Sequence, residues 1–403
     1  MINRFISTFK RLIQNANYPF HRYIYKDFNI TNRLTGLIGP RGTGKTTLML
    51  QFIKTQIPNI DECIYVSLDN IYFSRNNLSD FVHELYEDYG IRYYFLDEIH
   101  KYPHWNQELK NIHDSYPDIR LVFSGSSSLS PVKGGYYLSR RGVIFHINGM
   151  SFREYLMFNN VISMDPYPLE EILGNRKDIE NKLAEIPKLK GYFKSYLGNG
   201  YFPFLLEDPK TYQQKILRII EKTVFEDIAN FYKLKTENLS YFISILSYLS
   251  TIPPGELSCN SIAKKLGVDN KTIQNYLAIL NETGLIELVK KNKADSQLLK
   301  KTEKIFLDNP DLYISISEEI GFSPKTGTIR EIFFIKMIRN SGHKLFYSKT
   351  GDYEVEGIIY EIGGKNKTKK QIKGADKQAF LVKDDILYGS LHEIPLHLFG
   401  FIY

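Results

Sequence analysis

The chain has 403 residues, and at roughly 100–200 residues per domain that length predicts two to four domains rather than one small module. With 43% hydrophobic and 24% charged residues it can bury sizeable cores, which excludes a globally disordered chain. The net charge of +7 is too small to argue for nucleic acid by itself.

The first twenty residues alternate apolar and basic side chains without a continuous apolar run, so they read as an amphipathic helix and not as a secretory signal. No later stretch is apolar enough to span a bilayer, so no membrane association is expected. Short apolar runs then alternate with longer mixed segments, the pattern of a parallel α/β sheet. The expected strands are Leu34–Ile38, Cys63–Leu68, Tyr93–Leu96, Arg120–Phe123 and Val143–Ile147, with helices from Lys45 to Ile57, Asn77 to Asp88 and Trp105 to Ser115. From Ser151 to Tyr232 the periodicity is helical, which reads as a lid. From Leu239 to Lys291 come three short helices and an apolar strand, and from Thr328 to Tyr403 the pattern returns to mixed α/β. Cys63 and Cys259 lie far apart without metal-ligand spacing, which excludes a zinc site or a disulfide framework and fits a reducing cytoplasm. The histidines lack a paired i, i+4 metal arrangement. Lysines gather between Lys290 and Lys304 and again between Lys365 and Lys377.

The strongest signal follows the first strand. Gly39, Pro40, Arg41, Gly42, Thr43, Gly44, Lys45 and Thr46 match G-x-x-x-x-G-K-[ST] between a strand and a helix, with Thr47 next along that helix. Such a loop curls so that successive N–H groups point at phosphate oxygens, and the helix adds its positive N-terminal end. Lys45 is then expected to bridge the β- and γ-phosphates of ATP and Thr46 to ligate Mg²⁺. The third strand ends in Leu96-Asp97-Glu98, a Walker B pattern. Asp97 would hold the Mg²⁺ shell and Glu98 would polarise the attacking water.

With these motifs the chain resembles the AAA+ superfamily, and more narrowly an archaeal-ATPase-like branch with a C-terminal winged helix and a nuclease-like domain. The likeness rests on GPRGTGKTTLM, YYFLDEIHKYPHW, LVFSGSSS, LSRRG, SFREYL, YLGNGYFP and EIGGKNKTKKQIKG. It implies a P-loop NTPase parallel sheet at 1–150 with the N-terminal helix, a helical lid at 151–235, a winged helix-turn-helix and linker at 236–327, and a small α/β nuclease-like domain at 328–403. It also implies that Ser124, with Ser126 behind it, senses the γ-phosphate. Arg140 and Arg141 stand where this superfamily carries an arginine finger that reaches a neighbouring subunit, which would require a homo-oligomer.

The segment SIAKKLGVDNKTIQNYLAILNETGLIELVKK has the order of a winged helix-turn-helix, with Gly267 breaking its first helix and Asn270 as the expected cap of the second. Asn270, Lys271, Thr272, Gln274 and Asn275 are of types that reach phosphates or base edges of duplex DNA, and Lys290, Lys291 and Lys293 follow on the wing. The last segment resembles the PD-(D/E)XK nuclease fold, with Glu331 on a first helix, Asp352, Glu354 and Glu356 in a hairpin region, then Glu361. That likeness implies carboxylates on a metal and a lysine that orients water. Gly363 stands where the lysine is expected, and Lys365 comes two residues later, a displacement of roughly 7 Å along a strand, so the domain is expected to be a degenerate, inactive relative of these nucleases.

The sequence therefore predicts an Mg²⁺-dependent ATPase whose turnover drives or switches its C-terminal part, with duplex DNA as a partner of that part. One alternative is a nucleotide-gated DNA- or protein-binding module with little hydrolysis. Another is a metal-dependent nuclease acting through Glu331, Glu356 and Glu361.

Overall fold

The computed structural model describes residues 1–126, 141–206, 208–254, 258–291, 304–368, 372 and 377–403, and the chain divides into two compact units, Met1–Asn148 and Gly149–Tyr403. In the first unit, helix α1 (Ile2–Asn15) buries Ile2, Phe9 and Ile13 on one stripe and exposes Arg4, Lys10 and Arg11. Five strands follow: β1 (Leu34–Ile38), β2 (Cys63–Ser67), β3 (Tyr93–Asp97), β4 (Arg120–Gly125) and β5 (Gly142–His146). Between them run α2 (Lys45–Gln56), α3 (Leu78–Tyr89) and α4 (Trp105–Ser115).

The strands form one wholly parallel sheet in the order β2-β3-β4-β1-β5. All five positions of β1 are buried, as befits a parallel strand covered on both faces. Gly36 permits the close packing there: a Cβ would lie 2.5 Å from the Ile144 side chain and 2.7 Å from Phe123. Because every strand points the same way, the carboxyl ends of β1, β3 and β4 share one edge, where open α/β sheets bind ligands. Leu37 pairs with Ser124 and Leu96 with Phe123, so the register brings Asp97 beside Ser124, next to the loop that leaves β1.

The second unit opens with a capping box in which Ser151 and Glu154 start the helix Phe152–Phe158. The helical stretch from Leu169 is three helices, Leu169–Gly174, Arg176–Ala184 and Leu189–Asn199. The helix Tyr212–Lys222 continues through a π-helical segment, Thr223–Ile228, into Ala229–Tyr232. Asp311, fully buried, accepts hydrogen bonds from the Tyr201 amide at 3.0 Å and from the Tyr212 hydroxyl. Burial pushes its carboxyl up to about 6.

Helices Cys259–Leu266 and Asn270–Glu282 are followed by an antiparallel pair of strands, β6 (Ile286–Val289) with β7 (Lys304–Leu307). The cap of the second helix is Asp269, not Asn270 as the sequence suggested. Asp269 is still extended and its Oδ1 accepts from the Thr272 amide at 3.0 Å, whereas Asn270 is already the first helical residue. A mixed sheet, ordered β12-β11-β10-β9-β8, completes the unit. Its strands are β8 (Leu345–Tyr347), β9 (Tyr353–Val355), β10 (Ile358–Gly363), β11 (Ala379–Lys383) and β12 (Glu393–Pro395). The helix Thr326–Asn340 carries a buried charge cluster in which Lys336 pairs with Asp308 and lies 3.9 Å from Glu287.

Candidate nucleotide site and a second acidic cluster

The loop that leaves β1 is tight because it must be. Gly42 and Gly44 take φ of 80° and 93°, in the left-handed region open to glycine, and Gly44 leads directly into α2 at Lys45. Gly39 touches the chain after β5, since a Cβ there would stand 2.1 Å from the Ile147 carbonyl oxygen. The variant Gly39→Ala is expected to lower both the unfolding temperature and the affinity for nucleotide, with about 1–3 kcal/mol of strain at a backbone contact that no rotamer relieves. Thermal melts with and without ATP check this. Thr43 is buried and its hydroxyl donates to the Pro40 carbonyl at 2.8 Å, closing the loop on itself.

Lys45 is folded inward. Its ammonium donates to the Gly39 and Pro40 carbonyls at 2.9 and 2.8 Å. Thr46 Oγ1 donates to Asp97 Oδ2 at 2.6 Å, which joins the start of α2 to the end of β3. Thr47 lies one position further, half-buried, as are Pro40 and Arg41. Ser124 Oγ donates to Asp97 Oδ1, so the residue expected to sense phosphate holds the β3 carboxylate here. Glu98 sits at φ 53°, its amide directed at Asp97 Oδ1 (3.0 Å) and Ser124 Oγ (3.2 Å), and its Oε2 lies 3.3 Å from His100 Nε2.

Two residues at this site escaped the sequence reading. Tyr65, on β2, donates its hydroxyl to Asp97 Oδ2 at 2.6 Å, and burial together with the Asp97 charge pushes that phenol far above its ordinary range. Arg22 donates to the Thr43 carbonyl. Neither leaves a motif, although a tyrosine within the apolar run CIYVS was a hint of a buried hydroxyl seeking a partner. Of the expected fingers, Arg140 lies outside the described residues. Arg141 makes a two-pronged pair with Asp114, Nε to Oδ1 at 3.0 Å and a terminal nitrogen to Oδ2 at 3.2 Å, and the His113 hydrogen bond together with this pair holds the Asp114 carboxyl below its usual range.

The donor set fits a hard divalent cation such as Mg²⁺: a carboxylate oxygen and a hydroxyl 2.6 Å apart beside a loop shaped for phosphates. Among the described residues no three His, Cys, Asp or Glu side chains could hold a metal by themselves. Mg²⁺ does not require that, since it uses one or two carboxylates with phosphate oxygens and water.

A second cluster lies in the mixed sheet. Glu361 on β10 is fully buried and pairs with Lys367 at 2.6 Å, while Asp352 Oδ2 accepts from the Ile362 amide at 2.8 Å. Burial and the neighbouring Asp352 push Glu331 up, against the Tyr353 hydroxyl that bonds it. The lysine beside Glu361 is thus Lys367, not Lys365, because the chain turns after β10 and the Lys367 amide returns to the Gly364 carbonyl at 2.9 Å. Glu356, expected in this group, instead bonds His343 at 2.6 Å at the φ 51° turn between β9 and β10. These carboxylates do not fit a metal ion, since one of them is neutralised by an ammonium and no set of three converges among the described residues.

Residues 31–156 match the family described as AAA domain, and residues 190–319 match a domain of unknown function, DUF8612. The chain therefore carries an AAA domain, with the parallel-sheet fold of the P-loop ATPases. No curated protein matches. Among solved structures, Aeropyrum pernix ORC1 in complex with DNA is 15% identical, with 78% of this chain and 92% of that chain covered, at a TM-score of 0.29. AMPPCP-bound DnaA from Aquifex aeolicus is 15% identical over 64% and 84% of the two chains, at 0.24. C. elegans PCH-2 is 19% identical over 39% of this chain, which spans 45% of that chain, at 0.25. At such scores these likenesses carry no functional weight.

Proposed function

We propose that the protein binds ATP with Mg²⁺ at the carboxyl edge of β1, β3 and β4 and hydrolyses it. The observation that carries this is the 2.6 Å contact from Thr46 to Asp97, which joins the two halves of a phosphate-and-metal site. Thr46 and Asp97 would hold Mg²⁺, which when bound supplies charge neutralisation to the phosphates. Lys45 would leave the Gly39 and Pro40 carbonyls for the phosphate oxygens, and the loop amides from Arg41 to Thr46 would orient the chain of phosphates. Glu98 would hold the attacking water and take its proton. Ser124 keeps Asp97 in line, and Arg140 or Arg141 of a neighbouring copy would add charge at the γ-phosphate. Arg141 must leave Asp114 to do so.

The second unit is the proposed responder. Asn270, Lys271, Gln274 and Asn275 are exposed along one helix, with Lys264 and Lys265 exposed on the preceding one, a face of the chemistry that meets duplex DNA. Thr272 is occupied by its own cap, donating to Asp269 Oδ2. Among the described residues no helix is long and apolar enough to cross a membrane. Cys63 and Cys259 are thiols outside any disulfide, which fits a reducing compartment, and a cytoplasmic location is proposed on that ground.

A nucleotide-gated module with slow turnover is favoured by one observation: the pairing of Glu98 with His100, which holds the base toward a protein partner. Calorimetry with ATP and Mg²⁺, followed by phosphate release across a range of protein concentrations with and without duplex DNA, separates the readings. Absence of ATP affinity would remove both. Binding without turnover, joined to DNA affinity that falls linearly on a log–log salt plot and shifts with ATP, would select the gated module.

A further inference from the structure

Arg22 is the one buried arginine of the first unit's N-terminal segment, 5% exposed, and its guanidinium donates to two backbone carbonyls. One terminal nitrogen donates to Thr43 O at the crest of the phosphate loop, and the other donates to Asn148 O at 2.7 Å beyond β5. A loop whose amides face inward to an anion turns its carbonyls outward, and the buried Thr43 carbonyl needs a partner on that outer side. Arg22 is that partner, with two prongs rigidly set apart by its planar head.

The segment that carries Arg22 is itself fixed. Gln51 on α2 donates to the Tyr18 and Phe20 carbonyls at 2.9 and 2.8 Å, and Lys54 donates to Ala16 O at 2.9 Å. Tyr23, the next residue, donates to His146 O at 3.0 Å and accepts from the Asn148 amide at 3.3 Å. Ile147, between them, also touches the loop, its carbonyl facing Gly39. The phosphate loop and the chain after β5 are thereby tied through one guanidinium, on a segment that the second half of α2 holds in place.

We infer that Arg22 is a positioning residue for nucleotide binding: it braces the phosphate loop from outside and links the loop's occupancy to the backbone that follows β5. This rests on the ATP-site reading. Arg22 touches no phosphate, so its loss acts on the shape of the loop.

The test uses the full chain with Mg²⁺ and ATP, and the variants Arg22→Ala and Arg22→Lys. Arg22→Ala is expected to weaken ATP binding about tenfold or more, the size of losing one charge-assisted hydrogen bond. Guanidinium chloride at low millimolar concentration is expected to restore much of that affinity to Arg22→Ala and to leave the wild type unchanged. Arg22→Lys, which reaches one carbonyl at a time, is expected to fall between. In the wild type, ATP should slow amide exchange at Ile147 and Asn148, and this slowing should vanish in Arg22→Ala. If Arg22→Ala does not fold, Arg22→Lys with the exchange measurement decides. Wild-type affinity in the folded variants, or a loss that guanidinium does not reverse, overturns the inference. Absence of ATP binding in the wild type would instead overturn the reading beneath it.

Discussion

Glu98→Gln is expected to lower ATP hydrolysis by about 10²–10⁴-fold while leaving ATP affinity nearly unchanged. The amide keeps the size of the side chain and the turn after β3, and the Asp97 and Ser124 contacts to the residue 98 amide are backbone contacts that the substitution does not touch. It removes the carboxylate that accepts the proton of water and that pairs with His100. Lys45→Ala should do the opposite, abolishing measurable binding, because it takes the one ammonium 2.9 and 2.8 Å from the base of the loop out of the phosphate site. Phosphate release and calorimetry on the same preparations separate the two. Equal loss of binding in both variants would mean that Glu98 shapes the loop and performs no chemistry. Specific activity that rises with protein concentration in the wild type would point to an arginine supplied by a neighbour.

The first unit was legible because its chemistry constrains its sequence. Glycines at 42 and 44 are demanded by positive φ, and an acid after an apolar strand is demanded by the edge of a parallel sheet, so motif and geometry coincide. What remained hidden acts through backbone. Arg22 bonds two carbonyls, and any residue has a carbonyl, so nothing in positions 43 or 148 announces the contact. Tyr65 reaches Asp97 only because β2 lies next to β3, a neighbour relation that pairing sets and local sequence does not. In the mixed sheet, counting along an extended strand puts Gly363 at the lysine position and leaves Lys365 displaced from Glu361. The chain turns at Gly364, so Lys367 arrives and Lys365 does not. The cap at Asp269 differs from the expected Asn270 by a single position, since both residue types accept from a helix amide and only the backbone conformation chooses.

Acidification below about pH 6.5 is expected to destabilise the second unit through His397. This histidine is 4% exposed, lies against the Phe193 ring at 6.0 Å between centroids, and has its pKa pushed down to about 3 by burial and by the charge of Lys190. In the unfolded chain it takes its proton near 6.5, whereas the folded chain refuses it until far lower. The stabilisation is therefore complete above pH 6.5 and is lost progressively toward pH 3, roughly 5 kcal/mol across the whole window. Asp311 works against it. Its pKa, pushed up to about 6, means that the folded state holds a proton the unfolded state has released, so stability from this group grows as pH falls from 6 to about 4. The measured slope of the wild type is thus a difference of opposed contributions, and a comparison of variants is needed to separate them. His397→Phe keeps a ring against Phe193 and removes the titration. Its stability relative to wild type should be similar at pH 7.5 and should rise steadily as the pH is lowered to 5, read as urea midpoints by a probe in the second unit. A relative stability that stays constant across that range would mean that His397 charges as readily in the folded chain as in water, which a site closed to solvent does not permit.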